Sequence, residues 1–142
     1  MNPAVIANLV RLRGASQAAP GGRLGPAVSL KEVKTALGKA RMSVKEYDIE
    51  HVPVILDIYG FRAFGRSTHD GSGVPALGRR GRPLIEVSDR ALSSMEEAVT
   101  TIYHEIHHHR QYRLTGDGGP ERAAEEFGRE MYKVFQKRTG RS

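Results

Sequence analysis

The chain has 142 residues, no cysteine, and 22 Lys/Arg against 16 Asp/Glu, for a formal charge of +6. That length suits one domain able to bury a core, and the missing thiols exclude disulfide staples and thiolate metal sites. No apolar run approaches membrane-spanning length, and the first residues, Met1 to Arg11, lack the basic-then-apolar layout of a signal peptide, so export would need a larger parent polypeptide or a secretion machine.

In chain order, residues 3–13 read as a short amphipathic helix and 14–28 as a Gly/Pro/Ala linker. Ser29 to Ala40 reads as a helix with Ser29 at the N-cap and Glu32 at the capping-box position. Ile49 to Ile58 is a β-branched run suited to a buried strand, though Pro53 argues for an edge or a break. Phe61 to Gly81 is rich in glycine and arginine and reads as a long loop, with a short strand at Arg62 to Ser67; Leu84 to Ser88 alternates as a half-buried strand should. A helix starts near residue 94, capped by Ser93 or Ser94 with Glu96 or Glu97 three residues on, and stops at Gly116 Asp117 Gly118 Gly119 Pro120. A last helix runs from Glu121 to Gln136. The expected architecture is α+β: a small, mostly antiparallel sheet packed on the helices, with residues 1–28 outside the domain and 29–142 forming it.

Charge is uneven along this order. Residues 1–45 hold eight Lys/Arg against the single acid Glu32, and residues 46–142 hold fourteen against fifteen. Such an asymmetry marks a solvated basic arm, or a face for nucleic acid, for an acidic substrate, or for an acidic immunity or carrier protein. No nucleic-acid-binding motif is present, and the cluster Arg79 Arg80 Arg82 has no interleaved aromatics.

Four of the six histidines fall in one window, His104 Glu105 Ile106 His107 His108 His109, which contains HExxH. On a helix His104 and His108 are one turn apart, so two imidazoles reach one metal ion while Glu105 stands beside them as a base. Ala98, Val99, Ile102, Tyr103 and Ile106 form the apolar stripe of the same helix. A catalytic zinc needs a third protein ligand and an open position. Glu121, Glu125, Glu126 and Glu130 on the last helix are candidates, because two helices joined by a short glycine-rich loop fold back on each other. Spacing alone leaves Glu121 and Glu125 equally placed.

His104 Glu105 Ile106 His107 His108, followed by Glu121 Arg122 Ala123 Ala124 Glu125 Glu126 Phe127 Gly128, resembles the minimal zincin metallopeptidases of the gluzincin kind, in particular their ImmA/IrrE-type members, over roughly residues 83–135. Matched position by position, the resemblance implies zinc held by His104, His108 and Glu121, with Glu105 as general base and Glu125 supporting a ligating imidazole; the gap from His108 to Glu121 is shorter than is usual in those families. It also implies that Leu84 to Ser88 is the edge strand on which an extended peptide substrate lies. The stretch from Thr68 His69 Asp70 Gly71 Ser72 Gly73 Val74 Pro75 to the HExxH helix is similar to metallopeptidase toxin domains at the C-terminal end of bacterial polymorphic, Rhs-like toxins. That implies delivery as part of a larger toxin and action in a target cell's cytoplasm. Tyr132, His109 and Arg129 are candidates to steady an oxyanion, and His69 is a further polar group for the metal's surroundings. The rival readings are a metal-dependent toxin acting on nucleic acid and an inert, metal-stabilised protein-binding module.

Overall fold

A computed structural model of the chain describes residues 9–13, 26–57 and 59–140. It is an α+β domain of four strands and three helices: β1 (Leu9–Arg13), α1 (Leu30–Lys39), β2 (Asp48–His51), β3 (Gly65–His69), β4 (Leu84–Val87), α2 (Met95–Thr115) and α3 (Glu121–Thr139). The strands form one mixed sheet in the order β1-β3-β4-β2, antiparallel except where β2 runs parallel to β4.

The helices start and stop where local chemistry puts them. The Ser29 side chain accepts from the Glu32 amide while Glu32 reaches back to the Ser29 amide, the reciprocal capping box expected for α1. Ser94 Oγ accepts from the Glu97 amide at 3.0 Å to open α2, and Gly116, at φ 76°, closes it in the left-handed conformation that glycine adopts without penalty. α3 then runs back along α2 so closely that a Cβ on Gly128 would lie 2.5 Å from the Thr100 carbonyl oxygen. α2 is buried on most sides because it lies between the sheet and α3. Val99, Ile102, Tyr103 and Ile106 join Val33, Leu37, Ile49, Ile85 and Phe135 in a single core, each large side chain contributing about 1.5–3 kcal/mol by leaving water.

Three expectations for the strands are corrected. Residues 9–13 are not helical but form an edge strand paired with β3 from Leu9↔His69 to Arg13↔Gly65, so the domain includes β1 rather than starting at residue 29; residues 3–8 and 14–25 lie outside the described residues. The unpaired backbone edge of β3 outweighs the weak helical spacing of this short segment. The run from Ile49 to Ile58 is a strand only as far as His51, and Pro53 follows the break. β4 is not an edge: it pairs with β3 on one side and β2 on the other, which removes it as a docking strand for substrate. The Phe61–Gly81 segment meanwhile contains β3, an inner strand whose buried face is Gly65, Ser67 and His69.

Candidate metal centre

His104 and His108 project from α2 towards the first turn of α3, where Glu121 meets both. His104 Nε2 lies 2.9 Å from Glu121 Oε2, His108 Nε2 3.0 Å from Glu121 Oε1, and the two Nε2 atoms are 3.3 Å apart. Two nitrogens each about 2.0–2.1 Å from a tetrahedral ion sit roughly 3.3 Å apart, so the imidazoles have the separation that shared coordination requires. These three residues form a group whose ligand atoms all fall within 4.8 Å of one another. Two imidazoles and a carboxylate, without thiols, are a donor set suited to a catalytic divalent metal.

Each ligand is held from behind. His108 Nδ1–H donates to the Gly118 carbonyl at 2.6 Å, which leaves the Nε2 lone pair facing the site. His104 Nδ1 lies 2.9 Å from Glu125 Oε1, so Glu121 and Glu125, one turn apart on α3, take the two nitrogens of one imidazole. Although burial works against its charge, contact with Glu121 and Glu125 carries the His104 pKa up to about 9 in the metal-free protein. Glu125 is held well below the usual carboxylate range, chiefly by His104, with Arg13 adding to the effect.

Arg13 and Arg11 were legible in the sequence only as part of a basic arm. Arg13 is 5% exposed; its guanidinium donates to both oxygens of Glu125 at 2.9 Å, to Glu97 at 2.7 Å and to Thr101 at 3.0 Å. Arg11 Nε donates to Glu121 Oε1 at 3.1 Å and its other end reaches the Gly119 carbonyl. The i, i+2 spacing of a strand face thus matches the i, i+4 spacing of a helix face, and two arginines of β1 grip the two glutamates of α3.

Glu105 sits on the sheet side of α2, fully buried, where Ser67 Oγ donates to its Oε1 at 2.9 Å while, among the described residues, Oε2 has no hydrogen-bond partner. A Cβ on Gly65 would lie 3.4 Å from that Oε2 and would overlap Thr101, so the glycine keeps the space beside the carboxyl open. Burial pushes the Glu105 pKa up to about 7, against the downward pull of His104 and His108 when charged.

No protein-family model, curated protein or solved structure matches the chain.

The remaining expected residues lie elsewhere. His109 is turned to the sheet, where Nε2–H donates to the Leu84 carbonyl at 3.1 Å, and burial lowers its pKa to about 4. That hydrogen bond and position remove it from the set of oxyanion donors. Arg129 pairs with Glu125 Oε2 at 3.2 Å, and Tyr132 stacks on Phe135 three turns along α3 from Glu121, roughly 16 Å on by helix rise. His69 is buried rather than an exposed loop residue; its ring stacks on Tyr112 at 3.8 Å and lies 4.6 Å from His109, outside the ligand group. Glu126 pairs with Arg122 and Glu130 with Lys133 at the surface, as ordinary helix ion pairs.

Proposed function

We propose that the chain is a zinc-dependent peptidase whose metal is held by His104, His108 and Glu121 and whose general base is Glu105. The observation that carries this reading is the convergence of those three ligands one helical residue from a buried carboxyl that has one oxygen unpartnered and a pKa near neutrality. Bound zinc supplies Lewis acidity, polarising a scissile carbonyl and acidifying a water. The chain's own groups do the rest. Ser67 fixes one Glu105 oxygen and aims the other; a carboxyl with a pKa near 7 can take a proton from an attacking water and return it to a leaving amine. Gly118 and Glu125 orient the imidazoles, and Arg13 holds Glu125 for that task. Glu121, about half exposed, marks the side from which substrate approaches.

The resemblance to polymorphic toxin domains extends the proposal to a bacterial effector acting on a protein target. Nucleic acid is the less favoured substrate because Arg11 and Arg13, two of the eight cations in the basic N-terminal third, face inward onto carboxylates. Glu105→Gln is the test: the near-isosteric amide should leave zinc loading intact and lower hydrolysis of an unstructured protein substrate by about a hundredfold or more. Parent-level hydrolysis by that variant would remove Glu105 as the base and with it the peptidase reading.

A further inference from the structure

The strand order leaves β2 at the sheet edge opposite β1, and a cleft of about 820 Å³ runs along its outer side. Strand alternation gives the cleft two unlike walls. Ile49 faces α1 and packs in the core with Leu37 and Met42. Asp48 and Glu50 face the other way, onto the loop 79–82: the Arg79 amide donates to Glu50 at 2.9 Å, and the Arg80 and Arg82 amides donate to Asp48 at 2.8 and 3.2 Å. Between these walls, among the described residues, nothing pairs with the backbone edge. The Asp48 amide donates to Pro83 O and the Val52 amide to Val87 O, so in this parallel pair the peptide groups of Ile49 and His51 point away from β4 and into the cleft.

The charge of the cleft is one-sided. Lys34, Arg41, Lys45, Arg79, Arg80 and Arg82 line it and are exposed, while Asp48 and Glu50, the acids that line it, are taken up by loop amides, Glu50 also standing 4.0 Å from the mostly exposed Arg79 guanidinium. Arg41 stands at φ 56°, where glycine would fit at least cost, so this rim position carries a cation at a conformational penalty.

We propose that the cleft receives an extended acidic segment of a partner polypeptide, added as a fifth strand beside β2. Its apolar side chains would alternate onto the partly buried Leu30 and Val44 at the α1 side of the cleft and its carboxylates towards Arg79 and Arg80. Main-chain pairing to Ile49 and His51 supplies affinity, and the alternating walls supply register and specificity. A nucleic-acid strand fits less well: it cannot use strand amides in register, and of the two aromatic rings in the lining Tyr47 already packs against His109 and His51 is engaged by Asp89. The site does not depend on the metal, because the arginines that serve the metal ligands lie on the opposite edge strand.

The test uses the full chain and a labelled, acetylated peptide of about eight residues alternating Val and Glu, followed by fluorescence anisotropy at about 0.05 and 0.3 M salt. Saturable binding is expected that weakens with salt and falls roughly tenfold or more in Arg79→Glu/Arg80→Glu, whose side chains are exposed and whose fold is checked by circular dichroism. N-methylation of one alternate set of peptide residues should abolish binding to the unaltered protein, and methylation of the other set should be tolerated. Absence of saturation by about 1 mM peptide, equal loss with both methylated sets, or displacement of the peptide by an oligouridylate of matching charge would each overturn the proposal.

Discussion

Arg13 is the residue on which the candidate metal centre leans most heavily from outside. It ties Glu97 of α2 to Glu125 of α3 across a buried guanidinium, and Glu125 in turn holds His104. Arg13→Met should therefore cost roughly 2 kcal/mol of stability, less than a fully buried pair because both glutamates are about a third exposed. It should also weaken zinc by about ten- to a hundredfold, as loss of a group behind a ligand does. Arg13→Lys keeps the charge but not the fork that spans both Glu125 oxygens, so it should recover only part of each. Chelator competition and thermal unfolding on both variants decide the point; unchanged zinc affinity in Arg13→Met would show that Glu125 needs no such support. The two glutamates should separate in the same assay. Glu121→Ala should empty the site, whereas Glu125→Ala should still load zinc at saturating metal. None of this was legible from β1 itself, because Arg11 and Arg13 meet their partners 110 and 112 residues along the chain and a lone basic pair reads as solvated charge. The HExxH pair was legible because its spacing is set within one helix; spacing across the short turn narrowed the third residue only to Glu121 or Glu125, and the family resemblance pointed to Glu121, which lies with the two histidines.

At the scale of elements, the packing of α2 against α3 decides whether the ligands meet. Gly128 is the contact point. Replacing it with alanine would favour the helix intrinsically by about 0.5–1 kcal/mol, but the new methyl would sit 2.5 Å from the Thr100 carbonyl oxygen and 3.3 Å from the His104 amide nitrogen. A backbone atom cannot yield as a flexible side chain does, so overpacking of about 1–3 kcal/mol or more should win. Gly128→Ala is expected to lower the melting temperature and to weaken zinc, because α3 must move away with Glu121 and Glu125 on it. A more stable variant with parent zinc affinity would show that the two helices are not in contact there. The helices could be read from the sequence because their caps are local: Ser29 with Glu32, Ser94 with Glu97, and Gly116 after Thr115. β4 was legible as well, from the alternation of Leu84 to Ser88, and the short strand expected at Arg62 to Ser67 overlaps β3, but β1 and the bounds of β2 and β3 were not legible. β3 buries Gly65, Ser67 and His69 on its inner face, so it lacks the apolar alternation that identifies a strand, and the role of β1 depends on β3 being its neighbour.

For the molecule as a whole, the proposed metal would compete with protons for the same groups. In the metal-free protein the pKa values of Glu105 and His104 are raised, from 4.5 to about 7 and from 6.5 to about 9. A raised pKa stabilises the fold below the group's ordinary value and is lost as pH climbs through the shifted one, whereas buried His69 and His109, lowered to about 4, add stability as pH climbs to 6.5; the metal-free protein should therefore lose stability chiefly between about pH 7 and 9, as His104 titrates. Zinc needs His104 deprotonated, and its stabilising increment should instead grow over pH 6 to 9. At a thousandfold excess over the dissociation constant that increment approaches about 4 kcal/mol. Melting curves with zinc and with chelator at several pH values should diverge accordingly; parallel curves would mean that no ligand titrates on binding. The most direct measurement is elemental analysis of the protein, purified without a histidine tag, beside His104→Ala, His108→Ala and Glu121→Ala. A site built from these three ligands should give one zinc per chain in the parent and a substoichiometric trace in each variant. Full occupancy in any of the three, or none in the parent after exposure to zinc, would contradict it.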